Sequence, residues 1–194
     1  FETEGATVDG EPFESFLESS LAYRFADWVV RDLLYELRTT GGPASMEKLY
    51  EAIPEIDRIE LDGTVRTGGD GSDDETSAER RFDVVFRNRM GDPLVVAALH
   101  DARDPTAAGA VEGLVDDARA VAGGSEPFGT ALHVTTSYYE PPALEFVRET
   151  TGGGFLSRSR HRSYVRLDRH HGFHVCLVEA RAGEFNLSVP DLSP

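Results

Sequence analysis

The sequence predicts an α/β fold in which a mixed central sheet carries helices on both faces. Apolar residues recur at helical spacing early in the chain, three short apolar segments separated by turn residues follow, and the later part alternates helical and extended patterns. The predicted order is helix, three strands, helix, strand, helix and a terminal hairpin. Strands joined by short turns indicate an antiparallel meander, and the helix after them allows a crossover to a further strand.

The first predicted helix spans residues 13–40, where apolar residues fall three or four positions apart until Gly41 predicts the end. A short helix is expected at 45–52. The first strand is predicted at 56–66 from the alternation of apolar and polar residues. Residues 67–79 are rich in Gly, Asp and Ser, a composition typical of flexible loops.

Two further strands follow, at 80–89 and 94–99, with a tight turn between them. The segment 94–99 is apolar on both faces, which predicts a central position in the sheet. The next helix is predicted at 105–122, with Asp104 placed to cap its first turn and a glycine pair to end it.

The last part of the chain contains a predicted strand at 130–136 and a helix at 141–150. Two apolar segments, 164–167 and 173–179, flank a turn and predict a terminal β-hairpin. These elements complete the set of layers that an α/β domain needs to bury its sheet.

The domain organisation follows from this order. Residues 1–12 are acidic and aperiodic, so we predict a tail or linker there and a single domain over 13–194. Within that domain the core covers 13–150 and a hairpin extension covers 155–194. The chain begins at Phe1 rather than at a methionine, and we therefore expect it to be a piece of a longer protein.

The charge is strongly negative, at -16, with 35 acidic and 19 basic residues. Lys48 is the only lysine, and every other basic residue is an arginine. Acid excess with almost no lysine is expected of a protein working in molar salt, where a Debye length of about 3 Å makes self-repulsion tolerable. The alternative is an ordinary acidic protein with an arginine bias from a GC-rich genome. Neither interpretation argues against nucleic-acid binding.

The single cysteine, Cys176, lies in an apolar strand pattern, which predicts a buried, inert thiol in a reducing compartment. No apolar segment approaches the roughly 20 residues of a membrane helix, and no secretory signal pattern is present. We therefore predict a cytoplasmic protein that does not interact with membranes.

Two stretches carry a resemblance to a known nuclease superfamily. Residues 82–86, a turn and residues 94–100 look like its second and third strands, and residues 129–136 with 142–147 look like the strand and helix of Mrr-like restriction endonucleases. Together with the α-β-β-β-α-β order, they make the region 13–150 similar to the PD-(D/E)XK, or restriction-endonuclease-like, superfamily. Members of that superfamily hold a divalent metal, such as Mg²⁺ or Mn²⁺, between carboxylates on adjacent strands.

The resemblance implies that the catalytic motif is degenerate. Asp83 matches the superfamily's aspartate, Ala98 stands at the position of its glutamate, and His100 stands at the position of its lysine. Asp83 and His100 would then be catalytic remnants, with no cofactor bound. In an altered active site, Asp101 could act as the second carboxylate, although in an ideal strand it points to the opposite face from His100.

Other interpretations of these residues remain open in the sequence. Asp83 could be a capping carboxylate, and His100 a half-exposed, hydrogen-bonded histidine. His100 could also bind Zn²⁺ or Mn²⁺ together with Asp83 and His133, while His133 is typical of a core histidine. Glu14 and Glu18 on the first helix could be extra acids of a nuclease site or a solvated helix face.

A local reversal of charge spans residues 155–174, where five arginines accompany a single acid, Asp168. Aromatic residues lie among them. The candidate nucleic-acid contacts are Arg158, Arg160, Arg162 and Arg166.

Three functions remain open from the sequence. The first is a non-catalytic, nuclease-like domain that binds nucleic acid or a protein partner, which could be an upstream domain. The second is an active metal-dependent nuclease with an altered site. The third is a structural interaction domain of a larger chain.

Overall fold

The structure, a computed structural model, describes residues 7–8, 11–39, 47–67, 78–150, 166–167 and 172–187. Its mixed sheet with helices on both faces and a terminal hairpin confirms the predicted fold class. The strand order across the main sheet is β3 (Arg58–Thr67), β4 (Ala78–Arg87), β5 (Pro93–His100), β6 (Thr130–Thr135), β8 (His174–Arg181) and β7 (Arg166–Leu167), and β9 (Glu184–Leu187) pairs with β8.

The amino-terminal region contains a small ladder and a broken helix. Strands β1 (Thr7–Val8) and β2 (Glu11–Pro12) pair where the sequence predicted only a tail. The helical elements that follow are α1 (Phe13–Ser19), α2 (Leu21–Trp28), a π-helical turn (Val29–Leu33) and α3 (Leu34–Thr39).

The prediction of one continuous helix over 13–40 was wrong at Ser20. This residue has extended backbone angles, φ -67° and ψ 126°. Its carbonyl accepts the first helical hydrogen bond of α2, from the Arg24 amide at 3.1 Å. Serine is favoured at such a helix start over a helix interior. The spacing of hydrophobic residues alone does not reveal this break.

The meander is antiparallel, as predicted. Helix α4 (Glu47–Ala52) and a 3₁₀ turn (Ile53–Glu55) precede it. Strand β4 (Ala78–Arg87) pairs with both β3 (Arg58–Thr67) and β5 (Pro93–His100).

A parallel half completes the sheet. Helix α5 (Ala108–Ala122) crosses from β5 to β6 (Thr130–Thr135), which pairs in parallel with β5 and with β8 (His174–Arg181). Helix α6 (Pro141–Thr150) lies between β6 and the terminal strands in sequence. The predicted cap was wrong, because α5 begins at Ala108 with Ala107, not Asp104, as its flanking residue.

The carboxy-terminal β-structure contains one strand more than the predicted hairpin. Strand β7 (Arg166–Leu167) pairs antiparallel with the start of β8, as predicted. The end of β8 pairs with β9 (Glu184–Leu187), a strand that the sequence pattern did not indicate. Ala182 and Gly183 connect them with φ values of 51° and 90°, the left-handed conformation that two-residue hairpin turns require.

Apolar side chains form one core on each face of the sheet. Helices α2 to α4 cover the face that contains Val84, Val95 and Cys176. Helices α5 and α6 cover the face that contains Val85 and Val96. Strand β5 is buried on both sides, as its continuous apolar run predicted.

Strand β4 turns over near Asp83. Phe82 and Val84 are two positions apart, which in an ideal strand puts them on one face, but they pack into the cores on opposite faces. Asp62, at the corresponding position of β3, has φ 56°, and the pairing skips this position. A Cβ at the adjacent Gly63 would lie 2.8 Å from Cγ2 of Val85.

Among the residues that the structure describes, no helix has both the length and the apolar character needed to cross a membrane. The single cysteine, Cys176, is fully buried, and burial raises the pKa of its thiol to about 12. A thiol with so high a pKa is almost entirely protonated at neutral pH, so it is a poor nucleophile, as predicted.

Candidate functional site

Asp83 lies where β4 and β5 separate. The strand ladder ends at the pair Val84 and Ala97, and the Asp83 carboxylate accepts the Leu99 amide at 2.6 Å. Within a continuing ladder that amide would bond to a carbonyl of β4. The carboxylate therefore caps an amide that the separation of the strands would otherwise leave unpaired.

His100 lies on β5, two residues beyond Ala98. Its ring is partly exposed, and Nε2 lies 3.1 Å from the carbonyl oxygen of Asp104. A carbonyl only accepts, so this contact places the ring proton on Nε2. Ala98 offers no metal-binding atom on the strand beside Asp83.

The loops after β5 and β6 are bonded to each other at this end of the sheet. Thr136 donates its amide to the His100 carbonyl at 3.1 Å and its hydroxyl to Asp101 at 3.1 Å. Ser137 donates its hydroxyl to the Arg103 carbonyl at 3.0 Å. Asp101 thus takes part in the contact between the two loops.

His133 is buried beneath this end of the sheet. Its Nδ1 lies 3.3 Å from the hydroxyl of Tyr139, which donates to the His133 carbonyl at 2.5 Å. Burial, with a smaller contribution from the nearby charge of His100, lowers the pKa of His133 to about 4. Burial likewise raises the pKa of Tyr139. Both side chains are neutral at pH 7, as a core pair must be.

An exposed ion pair lies beside Asp83. The Arg81 guanidinium binds Asp62 through two nitrogens. This hydrogen bonding lowers the pKa of Asp62 and raises that of Arg81, with a smaller contribution to Arg81 from Asp83. No cluster of three or more His, Cys, Asp or Glu suited to a metal ion occurs among the described residues.

The candidate basic contacts lie elsewhere. Arg158, Arg160 and Arg162 are outside the described residues, whereas Arg166 starts β7 and pairs with Val175. Strands β5, β6 and β8 separate β7 from the strand of Asp83. At about 4.8 Å per strand, the two backbones are about 19 Å apart across the sheet. The structure therefore does not bring Arg166 and the nuclease-like positions into one site.

Comparison with known proteins identifies a family for this chain but no individual related protein. Residues 1–192 match the model of a family described as a domain of unknown function, DUF7527. The chain belongs to this family. No curated protein and no solved structure matches it.

This DUF7527 domain also contains a groove that its sequence did not predict. The groove has a volume of about 750 Å³ and lies between α1–α3 and the β8–β9 turn. Glu18 of α1 is one of its exposed carboxylates. No sequence signal could have located it, because it requires β9 and joins residues from both ends of the chain. The side chain of Glu14 lies outside the described set.

Proposed function

We propose that this domain binds nucleic acid without cleaving it, in a salt-rich, reducing cytoplasm. The observation that carries the non-catalytic part is the role of Asp83. Its carboxylate accepts the Leu99 amide at 2.6 Å, and Ala98, the residue before Leu99 on β5, has no carboxylate. A two-carboxylate Mg²⁺ site needs a second acid on that strand and a carboxylate free to bind the metal.

The binding part rests on charge and on position. Residues 155–174 carry five arginines and one acid in a chain whose net charge is -16, and arginine is well suited to phosphate contacts. Pairing of Arg166 with Val175 holds the end of this segment at the outer edge of β8.

The salt dependence sets the kind of contact expected. Non-specific phosphate attraction falls steeply as salt rises, so a bare arginine cluster would bind weakly in molar KCl. Binding under those conditions needs base stacking or base-edge hydrogen bonds. The aromatic residues Tyr164 and Phe173 both lie within the segment 155–174. Phe173 is buried, so Tyr164 is the candidate for base stacking.

The test is fluorescence anisotropy with labelled single- and double-stranded DNA, from low salt to about 2 M KCl, where screening is nearly complete. The variant Arg158/Arg160/Arg162→Ala removes the candidate contacts. A matched variant, Arg66/Arg103/Arg148→Ala, removes three exposed arginines at other positions. We expect the first variant to lose binding and the second to retain it.

The same samples, with Mg²⁺ or Mn²⁺ added, are analysed for cleavage. Cleavage that Asp83→Asn abolishes would show an active nuclease with an altered site, and would contradict the non-catalytic part of the proposal. Absence of DNA binding at every salt concentration would contradict the binding part. The remaining function would then be a protein-interaction domain.

A further inference from the structure

We propose that two buried side chains at the start of the parallel strands, Thr130 and His174, form a binding site for a small carboxylate together with Lys48. The hydroxyl oxygen of Thr130 and both ring nitrogens of His174 are buried and have no hydrogen-bond partner among the described residues. The exposed fractions of the two residues are 0 % and 3 %. The site uses none of the arginines proposed to contact nucleic acid, and its test uses no nucleic acid.

Thr130 and His174 are direct neighbours on the sheet face that α4 covers. They pair in register on the parallel strands β6 and β8, which puts both side chains on one face. Leu132 and Cys176, two positions further along each strand, belong to the core beneath α2 to α4. Buried polar groups at the margin of an apolar core lower stability unless a partner bonds them. The pair therefore calls for a ligand or for water.

Lys48 brings a positive charge to this pair from α4. Its Nζ lies 3.0 Å from the position that a Cβ on Gly172 would occupy, so the glycine leaves room for the ammonium group. After burial, the charge of Lys48 also contributes to lowering the pKa of His174 to about 4, so this charge acts on the ring. Lys48 is half-buried and has no ion-pair partner in the part of the chain that the structure describes.

A small cavity with a volume of about 250 Å³ adjoins the three residues, and Lys48 and Gly129 line it. Gly129 directly precedes Thr130, and its carbonyl accepts the His174 amide at 2.8 Å. A Cβ on Gly129 would lie 3.2 Å from the Lys48 carbonyl oxygen, so α4 packs closely on the start of β6. The buried pair therefore lies directly behind the wall that Lys48 and Gly129 form. The long side chain of Lys48 can move to admit a ligand.

The three groups match the hydrogen-bonding needs of a carboxylate. Lys48 offers ammonium N–H donors, Thr130 offers a hydroxyl, and a neutral His174 offers one ring N–H. A carboxylate accepts at two oxygens, so one oxygen can bind the ammonium group and the other the buried pair. Its negative charge would also favour a proton on the second ring nitrogen of His174.

The rest of the cavity wall favours a small monoanion. Glu51, Glu55 and Glu126 also line the cavity, and all three are exposed. Their charges repel a dianion such as phosphate more strongly than a monoanion, whose single charge Lys48 offsets. The cavity is also smaller than the roughly 300–1,000 Å³ typical of pockets for drug-sized ligands.

The test is a titration with potassium acetate, exchanged for potassium chloride at constant ionic strength. The readout is the ring resonances of His174 in protein labelled with ¹⁵N in histidine, and the spectrum of His174→Gln assigns them. We expect a saturable shift with a dissociation constant of about 1–10 mM. His100, at the carboxyl end of β5, should show no saturable shift.

Two variants each remove one donor from the site. Lys48→Met removes the ammonium group and Thr130→Val removes the hydroxyl with little change in shape. The matched controls are Arg148→Met on α6 and Thr64→Val on β3, both at exposed positions. We expect each site variant to bind acetate about tenfold more weakly and each control to bind it as the parent does. Thermal unfolding establishes that every protein is folded.

Three outcomes would overturn the proposal. The absence of a saturable shift at His174 would leave water as the partner of the buried groups. An equal shift at His100, or equal binding by the site variants and their controls, would indicate a general salt effect. Tighter binding of potassium phosphate than of acetate in the same titration would contradict the assignment of a carboxylate.

Discussion

The carboxylate of Asp83 accepts the backbone amide of Leu99 at the point where two central strands separate. One residue of β4 thus contacts the last part of β5, beyond the final pair of the ladder. The position that resembles a nuclease metal ligand has a structural role in this chain.

Replacing Asp83 therefore affects stability. Asp83→Ala leaves the Leu99 amide without its partner, and we expect a loss of about 1–2 kcal/mol in the free energy of unfolding. Asp83→Asn retains an acceptor and should lose less. Urea denaturation measures both. Asp101→Ala, which removes an exposed contact with Thr136, is the control, and an equal loss there would contradict the special role of Asp83.

The irregular pairing of β3 and β4 at Asp62 and Asp83, called the bend below, depends on close packing at Gly63. A Cβ there would meet Cγ2 of Val85 at 2.8 Å, and Val85 is fully buried. We expect Gly63→Ala to destabilise the domain by about 1–3 kcal/mol. Gly109→Ala, in α5, should stabilise by up to about 1 kcal/mol, because no atom of the described residues lies within 4 Å of a Cβ there. Melting temperatures that shift in the same direction for both would refute this account.

Arg87 stabilises the same bend through hydrogen bonds to residues on either side of Asp62. Its nearly buried guanidinium donates to Glu60 at 2.8 Å, to the Thr64 carbonyl at 2.8 Å and to the Gly91 carbonyl at 3.0 Å. Lysine cannot span these acceptors, so Arg87→Lys should cost about 2–3 kcal/mol. Arg58→Lys, at an exposed pair with Glu60, should cost less than about 0.5 kcal/mol in the same denaturation experiment.

Acid should destabilise the domain through two buried histidines. Burial lowers the pKa of His133 and of His174 to about 4, from 6.5 in the unfolded chain, and a nearby charge adds to each shift. The unfolded state therefore binds more protons between these values, so stability is complete above pH 6.5 and falls as the pH approaches 4. Each histidine should contribute a loss of up to about 3 kcal/mol. A flat stability profile over this range would contradict the prediction.

The two histidines should differ at neutral pH. His133 contacts the Tyr139 hydroxyl, whereas both ring nitrogens of His174 are buried and have no hydrogen-bond partner among the residues that the structure describes. His174→Leu removes an unsatisfied group, so we expect a change within about 1 kcal/mol of zero, or a gain. His133→Leu should cost about 1–3 kcal/mol, because the Tyr139 hydroxyl loses a neighbour. Chemical denaturation at pH 7 compares them, and the reverse order would be evidence against this assignment.

Periodicity determined the types and the order of the main elements. The continuous apolar run of β5 placed it at the centre of the sheet, and the strand pattern around Cys176 indicated its burial. These features depend on the side chains of one segment and on whether that segment is covered. They are therefore readable locally.

Only the tertiary structure determined which residues of these segments contact each other. The change of face at Asp83 and the role of Asp83 as a cap depend on contacts between residues of different elements. The same holds for the groove, which brings Trp28 beside Phe185. A local pattern specifies which side of an element is apolar, but the partner of that side is selected by the packing of the whole chain.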